Sequence, residues 1–441
     1  MNFHLKINDK SIFFFGTFIF AILFSIYETP WGLMDDYKNV ILIKEVLENP
    51  LQAYLQFTSD RVFISGMFQP FYLPQMFFQY YPGVIFDPII TFSINAFIVF
   101  FIHYYLFKSF EQIIKIDYKV SLFIFLIWPY TYDLFLHPSL QEKYIFLFFG
   151  FLLREILKSK PSTLKIILIS FLLPLIKLQG AIFIGYIFLL YLYTKQRYLL
   201  ISTISFSLAI AIQGYIIFFL DTDYFVYDSN VEKMFNNIGN IANLIFLSII
   251  LSTVLISLKD LNSKSVHLLG LSFSAILLVI IYSNWNIYGY LLASYSFLIS
   301  IFLSYLAAKT FSQLSSRKLK SIFIGILLII SLISAFLFLI PRLERWQQIT
   351  NVNNELEQKL DQSVYYCAQE GTKWLNQIKG NKNNIQYVNN YKEINEKVFY
   401  FINDSFQCDY FTKELSENCI GDNYINTTSQ KFYLIKYTCL K

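Results

Sequence analysis

Long apolar runs alternate with short polar or charged connections along the first 340 residues of the chain. A helix needs about 20 apolar residues to cross the roughly 30 Å hydrocarbon core of a bilayer, and these runs have about that length. The pattern therefore predicts an α-helical polytopic membrane protein with about 11 transmembrane helices. The predicted spans are residues 11–28, 84–107, 119–136, 143–158, 163–179, 180–194, 198–220, 240–258, 266–282, 288–308 and 320–340.

The long segment between the first two spans, residues 29–83, departs from this pattern. Its stretch "YKNVILIKEVLENPLQAYLQF" has apolar positions that would let a helix lie along the membrane interface. The stretch that follows, "DRVFISGMFQPFYLPQMFFQYYPG", is interrupted by Gly66, Pro70, Pro74 and Pro82, which predicts a loop and a broken helix. We therefore expect a first loop that holds interfacial helices.

The composition changes at Pro341, and residues 341–441 mix helix-like and strand-like patterns in a more polar stretch. We predict a small α+β domain there. All four cysteines of the chain lie in it, and a domain of about 100 residues outside the membrane gains stability from disulfides. Two disulfides are expected, with the pairing open among three arrangements and four free thiols as the alternative, among Cys367, Cys408, Cys419 and Cys439.

Composition and charge agree with the membrane prediction and orient the chain. Hydrophobic residues make up 56% of the sequence and charged residues only 15%, whereas soluble domains carry about 25% charge. With a cytoplasmic N-terminus, the inner loops of residues 1–340 hold 17 Lys and Arg and the outer segments hold six. This positive-inside bias supports that orientation. An odd number of spans then places the C-terminal domain outside, in the periplasm or the extracellular space.

The first apolar run and the net charge of the chain indicate in which membrane the protein lies and which partners it has. The first run has no small-residue cleavage site, so we expect it to stay as a span of a protein in the cytoplasmic (inner) membrane. The net charge of +5 arises in the membrane part of the chain, mostly on its cytoplasmic side. Positive charge there favours anionic headgroups of membrane lipids and argues against a nucleic-acid partner.

Candidate catalytic residues lie in the predicted outer segments, beginning with an acid pair. Asp35 and Asp36 follow the first span by a few residues, at the level of lipid headgroups. A carboxylate at this depth can take a proton from a hydroxyl or help to bind a divalent metal. The alternative is a solvated turn at the membrane surface. The chain has no HExxH, CxxC, Walker A or GxSxG motif.

Other outer segments add acids, cations and polar side chains on the same face, namely Arg61, Asp133, His137, Glu142, Lys143, Lys177 and Gln179. Lys177 and Arg61 have the charge that binds a phosphate. For Lys177 the alternative is snorkelling of its ammonium to the interface. For Arg61 it is a salt bridge to Asp60 or Asp36, and for His137 a capping or packing role rather than a metal ligand.

These features together resemble the GT-C superfamily of membrane glycosyltransferases, which use sugars linked to polyprenyl phosphate. The similarity begins with a first span that runs from inside to outside and an acid pair, Asp35-Asp36, soon after it. An outer loop with interfacial helices follows, then a second outer loop with Asp133 and Glu142 and a polar turn with Lys177. A soluble outer C-terminal domain is also found in many bacterial members.

The resemblance covers residues 1–220 best and includes a short element of the first loop. The stretch "DRVFISGMFQPFYL" looks like a degenerate form of the Arg-Phe-x-Pro-like element in some bacterial members. The motifs are short, so topology and position carry most of the similarity. The C-terminal domain shows no signature of the family.

The resemblance implies an inverting sugar transfer at the outer face of the membrane, in surface-glycan synthesis or lipid modification. Asp35 or Asp36 would act as the base on an acceptor hydroxyl of a glycan, lipid or protein, and Glu142 or Asp133 would be the second acid. The leaving lipid phosphate and the substrate would be held by Arg61, Lys177, Gln179, His137 and Lys143. Some members need a divalent metal, Mg²⁺ or Mn²⁺, and others do not, so this requirement stays open.

The alternative function is a polysaccharide polymerase or a flippase for lipid-linked glycans of the same pathway. A polymerase typically relies on a large late outer loop with several Arg residues. The late outer segments of this chain, residues 221–238 and 283–287, contain no Arg, which favours the transferase. A third interpretation is a receptor or adhesion module on an anchor, for which so many spans are unnecessary.

Overall fold

A computed structural model of the chain describes most of the helical part and much of the C-terminal domain. It is mostly helical, with one small sheet near the C-terminus. The described residues are 9–27, 35–63, 68–115, 117–129, 131–219, 241–259, 262–283, 296–307, 317–344, 347, 363–366, 385–388, 393–404, 409–425 and 432–439.

Five helices lead from the N-terminus through the first loop into the bundle. In chain order they are α1 (Asp9–Ile26), α2 (Asp35–Glu48), α3 (Pro50–Phe63), α4 (Tyr72–Ile85) and α5 (Pro88–Ile114). The break between α4 and α5 follows from the sequence Asp87-Pro88. The Asp87 carboxylate accepts a hydrogen bond from the Ile89 N–H at 2.8 Å, and Pro88 occupies the first helical position, where no N–H is needed. The predicted span 84–107 therefore begins later than expected.

Ten further helices of the bundle lie in the residues that the structure describes. They are α6 (Tyr118–Ile127), α7 (Thr131–Leu136), α8 (Glu142–Ile156), α9 (Thr163–Ile176), α10 (Phe183–Thr194), α11 (Arg197–Phe219), α12 (Ile241–Lys259), α13 (Ser263–Ser283), α14 (Ser296–Ala307) and α15 (Arg317–Ser334). A 3₁₀ turn, Leu178–Ile182, joins α9 to α10, and α15 continues through a π turn, Ala335–Leu339, as helix to Glu344.

Three of the described helices are long and apolar enough to cross a membrane, namely Pro88–Ile114, Arg197–Ile216 and Gly325–Glu344. Shorter apolar helices lie at most of the other predicted spans. The expectation of a largely helical chain with helices suited to crossing a membrane is therefore confirmed, while the number of about 11 spans stays a prediction.

The predicted span 119–136 is wrong as one continuous helix. Helix α6 stops at Ile127, because Trp128 precedes Pro129 and takes an extended conformation (ψ 119°), as residues before proline tend to do. Hydroxyl groups then satisfy the carbonyls at the end of α6. Tyr132 donates to Leu126 O at 2.8 Å, and Thr131 donates to a neighbouring carbonyl at 2.6 Å.

Helix α15 closes the same helix end from a distant part of the chain. The Ser331 hydroxyl donates to Phe123 O at 2.9 Å, and the Ser334 hydroxyl donates to Ile127 O at 2.8 Å. Ile127 has one of the last four carbonyls of α6, which lack a partner within the helix, so the Ser334 contact helps α6 to end inside the bundle. The Ser331 contact ties α15 to the turn before that end.

Two large apolar clusters and a small one between α6 and α15 organise the described helical part. One extends through the bundle from α1 to the residues after α15. The second large cluster joins α2 to α4 through Val40, Ile43, Val46, Leu73 and Met76. The first loop therefore contains packed helices, and their position along a membrane interface stays a prediction. It also contains an intact α4 in place of a broken helix, because Pro74 lies in the first helical turn and Pro82 in the last.

The C-terminal part contains a five-stranded mixed sheet of order β2-β1-β3-β5-β4. Strand β1 pairs in parallel with β2 and β3, while the pairs β3–β5 and β5–β4 are antiparallel. One helix, α16, lies between β3 and β4 in sequence. The bounds are β1 (Val364–Tyr366), β2 (Ile385–Tyr387), β3 (Val398–Asp404), α16 (Asp409–Asn418), β4 (Cys419–Ile425) and β5 (Phe432–Cys439).

One disulfide of the C-terminal part is present, between Cys419 and Cys439. The two cysteines face each other in the register of β4 and β5, so the bond joins the beginning of one strand to the end of the other. Cys367 and Cys408 lie outside the described residues. The α+β character of this part is confirmed, and its location outside the membrane stays a prediction.

Candidate functional site

Polar side chains collect at one end of the bundle, where α4 meets the first turns of α5 and α8. We call this set the polar layer. It is built from four helices and the 3₁₀ turn, which are close neighbours in space. Its members are Gln75, Gln79, Asn95, Gln141, Glu142, Lys143, Tyr144, Lys177 and Gln179.

Asn95 lies at the centre of the polar layer and is fully buried. Its Oδ1 accepts hydrogen bonds from Lys143 Nζ at 2.8 Å and from Gln79 Nε2 at 2.9 Å. Its Nδ2 donates to the carbonyls of Leu134 and Phe135 at 2.8 and 2.7 Å. One amide side chain therefore joins α5 to α4, α7 and α8.

Two glutamines of α4 extend the network toward α8. The Gln79 Oε1 accepts a hydrogen bond from the Tyr144 hydroxyl at 3.1 Å, and its backbone carbonyl accepts one from the Thr91 hydroxyl at 3.2 Å. One turn earlier, Gln75 Oε1 accepts a hydrogen bond from Gln141 Nε2 at 3.2 Å. Helix α4 is thereby held in register with the loop that precedes α8.

Lys143 is fully buried, and its ammonium is engaged with protein groups. It donates to Asn95 Oδ1 and to the Pro138 carbonyl, the second at 2.5 Å, and it lies 5.5 Å from the centroid of the Tyr144 ring. A buried ammonium is costly unless its hydrogen-bonding capacity is used. This placement gives Lys143 a positioning role, because it fixes the loop at Pro138 and with it the start of α8.

Glu142 and Lys177 form an ion pair at the edge of the polar layer. Lys177 Nζ lies 2.5 Å from Glu142 Oε1, and the side chains are 19% and 3% exposed. The second carboxylate oxygen of Glu142 is buried with no hydrogen-bond partner among the described residues, and so is the Gln179 Oε1. Unsatisfied buried acceptors cost about 1–3 kcal/mol each. This corner therefore combines one cation with two acceptors that a ligand donor can satisfy.

The backbone of the turn fixes the position of Lys177. Helix α9 ends at Ile176, and Lys177 is extended (φ −160°, ψ 142°). The Gly180 N–H donates to the Lys177 carbonyl at 2.8 Å. A Cβ atom at Gly180 would lie 2.2 Å from the Leu173 carbonyl oxygen, so the turn packs onto α9 as closely as only glycine permits.

The first loop reaches the same end of the bundle through Gln213 of α11. The Gln213 amide accepts a hydrogen bond from the Phe68 N–H at 3.1 Å and donates to the Phe68 carbonyl at 2.6 Å. It also donates to the Pro174 carbonyl of α9 at 3.4 Å. Phe68 is thereby fixed to α11 and, through the same side chain, to α9, which leads into the turn that carries Lys177.

Asp133 and His137 lie on the other side of the loop and are not part of the polar layer. The Asp133 carboxylate pairs with Arg342 at 3.1 Å, which ties α7 to the helix that follows α15. His137 is exposed, and its N–H donates to the Asp133 carbonyl at 2.9 Å. Of the two candidates for a second acid, Glu142 is therefore the one that lies beside Lys177.

Asp35 and Asp36 are the first two residues of α2, and Arg61 lies near the end of α3. Their side chains lie outside the described part of the structure. Acids in the first turn of a helix interact favourably with its dipole, whatever else they do. One turn on, Asn39 accepts a hydrogen bond from the Tyr72 hydroxyl at 3.0 Å, which fixes the start of α2 against α4.

The described residues do not by themselves form a site for a divalent cation. They contain no group of three or more His, Cys, Asp or Glu side chains close enough to share a metal. Mg²⁺ and Mn²⁺ prefer several oxygen ligands, and one Glu142 oxygen already accepts from Lys177. The acid pair Asp35 and Asp36 was not part of that set, because its side chains lie outside the described part of the structure.

Sequence reasoning missed the amides of the polar layer, namely Gln75, Gln79, Asn95 and Gln141. The signal for Asn95 was present, because an amide in the middle of the apolar run "TFSINAFIVF" must find partners when it is buried. The glutamines of α4 were hidden in a stretch that looked like a broken helix.

Comparisons with protein-family models, with curated proteins and with solved structures find no match to this chain.

Proposed function

We propose that the protein is a membrane glycosyltransferase. In this proposal it moves a sugar from a polyprenyl-phosphate donor to an acceptor hydroxyl at the outer face of the cytoplasmic membrane, in the manner of the GT-C superfamily. The polar layer, with helices α2 to α4 beside it, would be the active-site end of the bundle. The bundle would use about 11 spans and carry the C-terminal domain outside.

The observation that carries this proposal is the buried Glu142–Lys177 ion pair with the unsatisfied acceptors beside it. In a mostly apolar bundle, a half-buried cation next to unused carboxylate and amide oxygens is costly to maintain for structure alone. Its chemistry suits a ligand that brings both a negative charge and hydroxyl donors. A sugar linked to a phosphate has both groups.

The ion pair also provides a way to couple donor binding to catalysis. The lipid phosphate would displace the Glu142 carboxylate from Lys177, because a phosphate offers the cation more charge and more acceptor oxygens. Lys177 would then stabilise the charge that develops on the leaving phosphate. The released Glu142 and the buried Gln179 oxygen would accept hydrogen bonds from sugar hydroxyls.

The transfer itself would be a single displacement with inversion. The acceptor oxygen attacks the anomeric carbon while its proton passes to a carboxylate, for which the proposal uses Asp35 or Asp36. The bond between the anomeric carbon and the phosphate oxygen breaks, and its electron pair leaves with the polyprenyl phosphate. The start of α2 supports this role, since Asn39 holds it against α4, which carries part of the polar layer.

Four substitutions test the proposal in the native host, with surface-glycan structure read by mass spectrometry at matched protein abundance in the membrane. We expect Glu142→Gln and Lys177→Met to reduce sugar addition by about 100-fold or more, the size typical of losing such charged groups. Either Asp35→Asn or Asp36→Asn should abolish it by removing the base.

The matched control uses a second Glu–Lys pair at the opposite end of the bundle. Glu155 Oε2 lies 2.5 Å from Lys158 Nζ, as in the Glu142–Lys177 pair. Glu155→Gln and Lys158→Met should leave the glycan unchanged. Normal glycan in all four test variants would overturn the proposal. If the test and control variants lost sugar addition equally, the loss would be due to impaired folding and the proposal would lose its support.

A further inference from the structure

The end of the bundle opposite the polar layer carries basic side chains that lie over tyrosine rings. Five such cations occur there among the described residues, each within 6 Å of a ring centroid. We call this set the tyrosine-seated rim. Its members are Lys108, Lys119, Arg154, Lys195 and Lys264.

Lys108 shows the arrangement most completely. Its ammonium lies 4.9 Å from the centroid of the Tyr118 ring and 5.8 Å from that of Tyr104. These two rings meet edge to face at 5.1 Å. Lys119, which is buried, approaches the Tyr118 ring to 5.6 Å. Two positive charges therefore converge on one tyrosine, and the outer one is exposed.

The other members repeat the arrangement around the bundle. Arg154 of α8 lies 5.2 Å from the Tyr105 ring of α5, and Lys195 lies 5.7 Å from the Tyr191 ring one turn before it. Lys264 lies 5.1 Å from the Tyr305 ring and donates to a carbonyl at the end of α5 at 3.1 Å. The last contact shows that α13 begins where α5 ends.

The depth of the rim follows from the two long helices that it adjoins. Lys108 comes 20 positions after Pro88, the first residue of the spanning helix Pro88–Ile114. At 1.5 Å per residue this is about 30 Å, the thickness of the hydrocarbon core. Lys195 comes two residues before the spanning helix Arg197–Ile216. Both cations would therefore lie at the level of the lipid headgroups.

We propose that the tyrosine-seated rim is a binding surface for the headgroups of anionic phospholipids. The cations are distributed over five helices and do not converge in one pocket, which suits a leaflet of headgroups better than a single soluble anion. Tyrosine favours this depth in a bilayer. A cation that already rests on a ring loses less rotamer freedom when a phosphate binds it. This inference is independent of the proposed sugar transfer.

The contrast with basic residues at the same end that have no ring beneath them makes the proposal specific. Lys160, Lys165 and Arg197 are exposed there as well, and no tyrosine ring among the described residues lies under them. If charge alone attracted anionic lipid, both sets would contribute equally. The seated cations should contribute more, because their positions are fixed.

The test compares two triple variants of the full-length protein with the same change of charge. One is Lys108→Gln/Arg154→Gln/Lys195→Gln, and the matched control is Lys160→Gln/Lys165→Gln/Arg197→Gln. Native mass spectrometry measures the apparent Kd for phosphatidylglycerol and for phosphatidylcholine with the same acyl chains. With about 1 kcal/mol per basic residue near a membrane surface, we expect the natural chain to prefer phosphatidylglycerol by about tenfold or more.

The rim variant should lose most of this preference, whereas the control should keep most of it. Equal losses in the two variants, or no loss in either, would overturn the proposal. Full displacement of phosphatidylglycerol by millimolar inorganic phosphate would also overturn it, because the surface would then serve a free anion.

A second variant separates the ring from the charge. Tyr104→Leu/Tyr105→Leu/Tyr191→Leu keeps every cation of the rim and removes three rings, all on partly buried side chains. We expect the Kd for phosphatidylglycerol to rise several-fold with helical content unchanged by circular dichroism. An unchanged Kd would show that the rings have no part in binding, and the proposal in this form would fail.

Discussion

The two ends of the helical bundle use the same residue type in opposite ways. In the polar layer, Lys143 is fully buried, and its ammonium is held by an amide oxygen and a backbone carbonyl. On the tyrosine-seated rim, Lys108 and Lys195 are exposed, and each lies over an aromatic ring. A fully buried ammonium is costly unless its hydrogen-bonding capacity is used, whereas an exposed ammonium keeps contact with water and gains from a ring beside it. One end is therefore built to hold groups in place and the other to face its surroundings.

Among substitutions that test this difference between the two ends, Gly180→Ala should destabilise the protein most, because the polar layer depends on the close turn at Lys177. A methyl group at Gly180→Ala would meet the Leu173 carbonyl oxygen at 2.2 Å. We expect the free energy of unfolding, measured by SDS titration in mixed micelles, to fall by about 4 kcal/mol or more.

Gly214 is the matched control for Gly180. It lies within α11, and a Cβ there would meet nothing within 4 Å. Gly214→Ala should leave stability unchanged or raise it by up to about 1 kcal/mol, since alanine is the better helix former. A Gly180→Ala protein as stable as this control would show that the turn is not fixed as described.

The next largest loss of stability is expected when the buried lysine is replaced, and it can be compared directly with the loss for the exposed lysine. Lys143→Met should lower the free energy of unfolding by about 2–4 kcal/mol, because Asn95 and the Pro138 carbonyl lose a buried donor. Lys108→Met should cost less than about 1 kcal/mol, as expected for an exposed cation on a ring. Similar losses for the two variants would remove the distinction between the ends.

A smaller effect is expected from Gln213, which attaches the first loop to the polar end. Gln213→Leu removes the two hydrogen bonds that the Gln213 amide makes with the backbone N–H and carbonyl of Phe68. We expect a loss of about 1–3 kcal/mol. Faster proteolysis after Phe68 in the variant, at unchanged bundle stability, would show that the loop detaches alone.

The smallest effect should come from the Asp133–Arg342 pair beside the polar layer. The two side chains are 14% and 30% exposed, and ion pairs this close to solvent contribute about 0–1 kcal/mol. Arg342→Gln should therefore change the melting temperature by only a few degrees. A much larger drop would mean that this pair, and not the amide network, anchors α7.

The sequence predicted the helices far better than their contacts. Apolar runs mark helices because backbone groups in an apolar environment must pair within the segment. The interruption at Trp128-Pro129 was also readable, and the prediction of a single span from 119 to 136 overlooked it. Partners such as Asn95 for Lys143 were not readable, because their pairing depends on how four separate helices pack.

The candidate site was predicted in part. Glu142 and Lys177 were chosen for their charge at the ends of apolar runs, and the structure places them in direct contact. The contact itself needs the extended Lys177 and the close turn at Gly180, which no periodicity encodes. Lys143 was chosen for the same reason as Lys177, yet its ammonium is fully buried. Charge in the sequence identifies the end of a helix but not the direction of a side chain.

The serine contacts from α15 to α6 impose an order on biosynthesis. Ser334 supplies the donor for the Ile127 carbonyl at the end of a helix that the ribosome made 207 positions earlier, and Ser331 contacts the preceding turn across 208 positions. Until α15 is synthesised, the Ile127 carbonyl must be satisfied by another donor, such as water. Thr131 and Tyr132 satisfy the neighbouring carbonyls at once, so the contact from Ser334 is the last of the hydroxyl contacts at this helix end to form during synthesis.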